Sequence, residues 1–182
     1  MSKAVLISIR PQWCEKIASG EKTIEVRKTR PKLKTPFKAY LYVTAGNLSY
    51  RCPNGMTCHC NGGRAVIGEF VCNKVDWITR IGFSGSPVPS RYSICSHSNM
   101  SVLPINDLLY AARLTYPELA DYLAGGEGYG WHISDLRIYD QAHELSEFTG
   151  LRNTRFGAAP YDIKRAPQSW CYVEAMEEGE TE

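Results

Sequence analysis

The chain has 182 residues, 43% hydrophobic and 22% charged, with a formal net charge of only +2. This is a globular composition with room for one domain carrying insertions; no apolar run approaches the roughly 20 residues of a membrane span, and the start from Lys3 is too short for a signal peptide, so a cytoplasmic protein without membrane contact is expected. The charge is uneven: the last nine residues hold five glutamates, and without them 21 basic residues face 14 acidic ones, an excess suited to a polyanionic partner.

Ala4 to Ile9 is a short, mostly apolar run rich in β-branched residues and predicts a strand. Pro11 at the head of Gln12 to Gly20 predicts a helix with a glycine stop. Thr23 to Arg27 then alternates, with Ile24 and Val26 on one face and Thr23, Glu25 and Arg27 on the other, as a half-buried strand does. Composition alone makes Glu25 and Arg27 a solvated pair on the outer face, worth little in stability. Arg27 to Lys38 holds six basic residues, two prolines and no acid, which predicts an exposed loop.

Phe37 to Thr44 reads as a third strand, and the polar, glycine-rich stretch 45–63 as a long loop or insertion. Arg64 to Ile78 predicts a long strand, bulged at Gly68, and 81–101 a second irregular insertion. Ile105 to Arg113 has helical periodicity. Thr115 to Ala124 is a better helix still, with Thr115 as cap, Pro117 in the first turn and Glu118 completing a capping box. Gly130 to Tyr139 and Ser169 to Glu174 are the last two strands, with Arg152 and Arg155 in a loop between them. Closely spaced strands with helices at two places indicate an α+β domain over 1–175, built on a mixed sheet or small barrel, and 176–182 form a disordered acidic tail.

Two groups of residues carry the chemistry. The first is Arg10, Trp13, Lys22, Glu25 and Arg27, with Lys28, Arg30, Lys32, Lys34 and Lys38 beside them. Aromatic rings among cations are what single-stranded nucleic acid needs, since bases stack on rings while Lys and Arg neutralise phosphates. A carboxylate such as Glu25 adds the ability to accept from an exocyclic amine. Trp131 and Ile133 share one face of their strand, His132 and Ser134 the other; alternation leaves open which pair lines a cleft.

The second group is Cys52, Cys58, His59 and Cys60, weak candidates for zinc because the spacing has no C-x2-C pair and adjacent residues seldom all reach one ion. Seven cysteines, an odd number, argue for reduced thiols rather than a disulfide framework. Cys14, Cys72 and Cys171 sit in apolar segments as small buried hydrophobes, and a pairing of Cys95 with His97 lacks an orienting partner.

Ser8 to Trp13, then Gly20-Glu21-Lys22-Thr23-Ile24-Glu25-Val26-Arg27-Lys28, then Val66 to Phe70, resemble the ASCH domain of the PUA-like superfamily, whose signature is a glycine-x-lysine followed by x-x-glutamate-x-arginine. Gly130 to Leu136 and Ala166 to Cys171 are similar to the same segments of phage and bacterial members. The resemblance implies a PUA-like small mixed β-barrel with peripheral helices and two loop insertions, with a cleft lined by the motif. Arg10, Trp13, Lys22, Glu25, Arg27, Lys28, Trp131 and Ser134 would line that cleft and bind single-stranded RNA or a nucleotide-like ligand. No cofactor is implied, and the insertions offer a surface to a protein partner.

One branch of the superfamily hydrolyses N4-acetylcytidine with a lysine, a threonine and a glutamate. Lys22 matches the lysine, but Glu25 stands where that branch has its threonine, and Thr23 points to the other face from Lys22. Recognition is therefore the first reading. Hydrolysis of a modified nucleoside or RNA, with Lys22 and Glu25 as acid and base, is the alternative.

Overall fold

Runs of β-branched and aromatic residues supply most of the regular structure, and the computed structural model describes residues 2–51, 54–82, 91–95, 102–155 and 157–176. Cys52, His97, most of the 81–101 stretch and the tail from 177 lie outside these. Among the described residues the strands are β1 (Lys3–Ile9), β2 (Ile24–Arg27), β3 (Phe37–Val43), β4 (Leu48–Arg51), β5 (Thr57–Cys60) and β6 (Ala65–Ile81). They continue with β7 (Arg91–Cys95), β8 (Val102–Leu103), β9 (Gly128–Glu144), β10 (Thr149–Thr154), β11 (Gly157–Asp162) and β12 (Trp170–Glu174). The helices are α1 (Pro11–Ala18), α2 (Asn106–Ala112) and α3 (Tyr116–Leu123). None of them is long and apolar enough to cross a membrane.

The chain divides into two compact units, one of Met1–Ser19, Phe37–Val71 and Asp135–Glu182, the other of Gly20–Pro36 and Cys72–Ser134. In the first unit the strand order runs β11, β10, β12, β1, β3, β6. Because β1 is parallel to β3 and antiparallel to β12, the sheet is mixed, which with three helices gives the α+β class. Alternation sends Ala4 and Leu6 of β1 to one face, where they pack with Tyr40, Tyr42, Val66, Phe148 and Val173. Gly68, read from sequence as a bulge, serves close approach: a Cβ there would collide with the carbonyl of Arg137 in β9.

In the second unit β7 and β8 extend from β6, and β9 pairs with β2 and β6. Ile24 and Val26 face Ile105, Leu108, Leu109 and Ala112 of the α2 segment and Leu119 and Leu123 of α3 in one core. The capping box of α3 forms as expected, Thr115 accepting from the Glu118 amide and Glu118 from the Thr115 amide at 2.7 Å. Gly130 lets α2 lie close on β9, since a Cβ would stand 2.9 Å from Leu108 Cδ1 and 3.2 Å from Ile24 Cγ2.

Four stretches differ from the sequence reading. The stretch 45–63 holds a hairpin, β4 with β5, rather than an unstructured insertion; Leu48 and Tyr50 alternate inward within β4, onto which α1 packs, a pattern too short to stand out among polar neighbours. Within 81–101 the described residues form β7, paired in register with the end of β6. Arg152 lies on β10 of a second hairpin and Arg155 in its turn, where Thr154 Oγ1 donates to the Gly157 carbonyl at 2.8 Å. β9 also runs past its expected end at Tyr139, bent at Asp135, which adopts φ 48°.

Candidate functional site

Residues 21–23 are pinned to the C-terminal end of α2. The Thr23 amide donates to the Ala111 carbonyl at 2.9 Å, Arg113 Nε donates to the Glu21 carbonyl at 2.8 Å, and Lys22 Nζ donates to the Ala112 carbonyl at 2.7 Å. A helix C-terminus carries partial negative charge and unfilled carbonyls, so it is a natural seat for an ammonium. From there Lys22 Nζ reaches Glu25 Oε2 at 3.2 Å, while Glu25 Oε1 pairs with Arg27 Nε at 3.1 Å. The carboxylate thus serves one cation with each oxygen.

Lys22, Glu25 and Arg27 are only 3, 7 and 8% exposed. The solvated pair expected from composition is instead a buried cluster of two cations and one carboxylate. Taking such charges out of water is costly, and pairing of this geometry is what makes it tolerable. In register, Glu25 stands opposite Trp131 and Arg27 opposite Tyr129, so these four side chains share the face of β2 and β9 that Ile24 and Val26 do not use.

One residue beyond the cluster the character reverses. Segment 28–34 and Tyr129 line a cavity of about 650 Å³, into which the sequence brings Lys28, Arg30, Lys32 and Lys34 without an acidic residue among them. Lys28 Nζ lies 5.2 Å from the centre of the Tyr122 ring, and the Arg30 guanidinium 5.9 Å from that of Tyr129, both within cation–π range.

No family model matches the chain, and no curated protein matches it. Solved structures do: ASCH from Zymomonas mobilis superposes with a TM-score of 0.53 at 18% identity, covering 94% of this chain and 87% of that one. A serine-to-alanine mutant of the same protein gives 0.53 and 18% over 94% and 88%, and a tyrosine-to-phenylalanine mutant 0.51 and 16% over 95% and 91%. The chain has the ASCH fold. At this identity the likeness concerns the fold, and it agrees with the resemblance carried by Lys22, Glu25 and Arg27.

Within the ASCH fold the remaining sequence-predicted residues separate. Arg10 and Trp13 belong to the first unit and the motif to the second. Arg10 is exposed and its backbone opens α1, accepting from the amides of Trp13 and Cys14; Trp13 is half-buried, with Lys16 Nζ 5.1 Å from its ring. Trp131 is fully buried, so it is a core residue rather than a stacking surface. Ser134 is half-buried on β9. Lys28 is exposed and lines the cavity.

Sequence reasoning missed Tyr122, Tyr129 and a polar cluster on β6. Tyr129 had a local signal, since it lies between Gly128 and Gly130, but only pairing with Arg27 brings it to the cavity. In the cluster, Asp76 Oδ2 lies 2.7 Å from His132 Nε2 and Oδ1 2.8 Å from Lys74 Nζ. Burial raises the Asp76 carboxyl, but hydrogen bonds and charge from His132 and Lys74 outweigh it and hold the group below the usual carboxylate range.

Among the described residues no three His, Cys, Asp or Glu side chains come together to hold an ion. Cys58 is disulfide-bonded, which corrects the expectation of wholly reduced thiols. His59 Nδ1 is engaged with Ser49 Oγ at 2.9 Å, and burial raises the Cys60 thiol. Cys52 and His97 lie outside the described residues. Cys14, Cys60, Cys72, Cys95 and Cys171 are reduced; Cys14 and Cys72 are buried as expected, Cys171 is half-buried rather than buried, and burial pushes the Cys72 thiol up to about 12.

Proposed function

We propose that this chain is an RNA-binding protein of the ASCH fold, and that RNA is held by its phosphates in the cavity lined by 28–34. The observation that carries this is the four cations around one cavity of about 650 Å³ with a tyrosine in its wall. A backbone of phosphates is the ligand that such a basic surface suits. In this reading the buried Lys22, Glu25 and Arg27 cluster supports the site from beneath: it fixes the end of β2, and with it the point at which the basic segment leaves the sheet. The strands around it form the small PUA-like barrel of the superfamily, in a cytoplasmic protein.

Hydrolysis is the weaker reading. Glu25 gives each oxygen to a cation, so the carboxylate that would activate water is already engaged.

The test is a salt titration of binding to a fluorescently labelled single-stranded RNA. Log affinity is expected to fall linearly with log salt, with a slope near −0.7 for each phosphate contacted. Binding that ignores salt, or that survives removal of all four cavity cations, would refute the proposal.

A further inference from the structure

We infer that the bound RNA is single-stranded and that Tyr122 of α3 is a platform on which one of its bases stacks. The inference rests on the RNA-binding reading above and names a part of the site that neither the motif nor the family resemblance contains.

Lys28 belongs to two structures at once. It lines the cavity, and its ammonium lies 5.2 Å from the Tyr122 ring, so phosphate held at Lys28 is next to that ring. Arg30 repeats the arrangement with Tyr129, 5.9 Å away. Of these two rings Tyr122 is the more exposed, at 40%, while Tyr129 is half-buried in the cavity wall, and Leu119 and Leu123 carry the helix's contacts with the core. An aromatic residue that contributes so little to the core, set beside a phosphate-binding cation, matches the alternation of charge and ring along which a single strand lies. Bases in a duplex are stacked on one another and closed to such a ring, so the platform discriminates against double strands. An acidic protein segment without aromatic residues would satisfy the cations but has no planar group to place there.

Tyr110 supplies a control. It is 73% exposed and pairs with Arg113 at 4.9 Å, yet neither residue lines the cavity.

The experiment compares a labelled ten-nucleotide oligouridine with a ten-base-pair RNA duplex by fluorescence anisotropy over a series of salt concentrations, for wild type, Tyr122→Ala, Tyr122→Phe and Tyr110→Ala. Wild type is expected to favour the single strand. Tyr122→Ala should lose about 5- to 150-fold of that affinity with an unchanged salt slope, Tyr122→Phe should keep it, and Tyr110→Ala should match wild type. Equal affinity for the duplex, wild-type affinity in Tyr122→Ala, or an equal loss in Tyr110→Ala would overturn the inference while leaving RNA binding intact. Displacement of the oligomer by oligoglutamate at equal charge concentration would also overturn it and point to an acidic protein surface. If wild type binds neither RNA at low salt, the functional reading itself fails.

Discussion

Lys22–Arg27 and 28–34 are consecutive in the chain, both are rich in cations, and the structure treats them in opposite ways. In the first, Lys22 and Arg27 are buried around Glu25; in the second, four cations surround a cavity without an acid in the segment. A charge inside needs its partner in place, and a charge outside stays hydrated without one. In the proposed function the motif that draws attention in the sequence is the scaffold of the site, and the plainer basic run that follows it is the face offered to a ligand.

The comparison breaks most sharply at Glu25. Glu25→Gln leaves two buried cations without their carboxylate and should lower unfolding free energy by about 3–5 kcal/mol; a denaturation midpoint equal to wild type would show that the cluster is not structural. Replacing Lys28, Arg30, Lys32 and Lys34 together by alanine should do the reverse, with stability changed by no more than about 0.5 kcal/mol for each surface site. RNA affinity at 0.1 M salt should then fall by two to three orders of magnitude, at about 0.7 log units for each phosphate contact.

Asp76 extends the buried side of the comparison to a second ion pair. Its folded-state carboxyl lies below the ordinary value, so the stability it confers is complete above about pH 4 and is lost as the pH falls through the folded-state value. Asp76→Asn should cost about 1–3 kcal/mol at pH 7 in urea denaturation, and the gap to wild type should narrow as the pH falls below about 4; a gap independent of pH would assign the loss to packing. The smallest effect belongs to Thr115→Ala. Loss of the α3 cap should cost about 1 kcal/mol, and RNA affinity should hold, because the cap lies at the opposite end of α3 from Tyr122.

How much was legible follows from how local each signal is. The α3 helix could be read outright, since its cap, proline and stop lie within one short segment, and β1, β3 and β12 likewise announce themselves by composition. The β4–β5 and β10–β11 hairpins could not. Their strands are short, and what makes them strands is pairing with each other, together with the packing of α1 for β4 and pairing with β12 for β10.

The candidate site divides in the same way. The alternation of Ile24, Glu25, Val26 and Arg27 and the acid-free run that follows are properties of adjacent residues, so the sequence by itself determined a strand with one apolar face leading into a basic loop, and its motif pointed to the ASCH fold. Burial depends on what covers a face, and no window around Glu25 contains the α2 carbonyls that seat Lys22 or the β9 residues opposite it. Tertiary structure alone decided that the motif is interior, that Trp131 is core, and that Tyr122, far along the chain, stands over Lys28. These are contacts between residues distant in sequence, which only the folded chain brings within the few ångströms over which charges pair and rings meet.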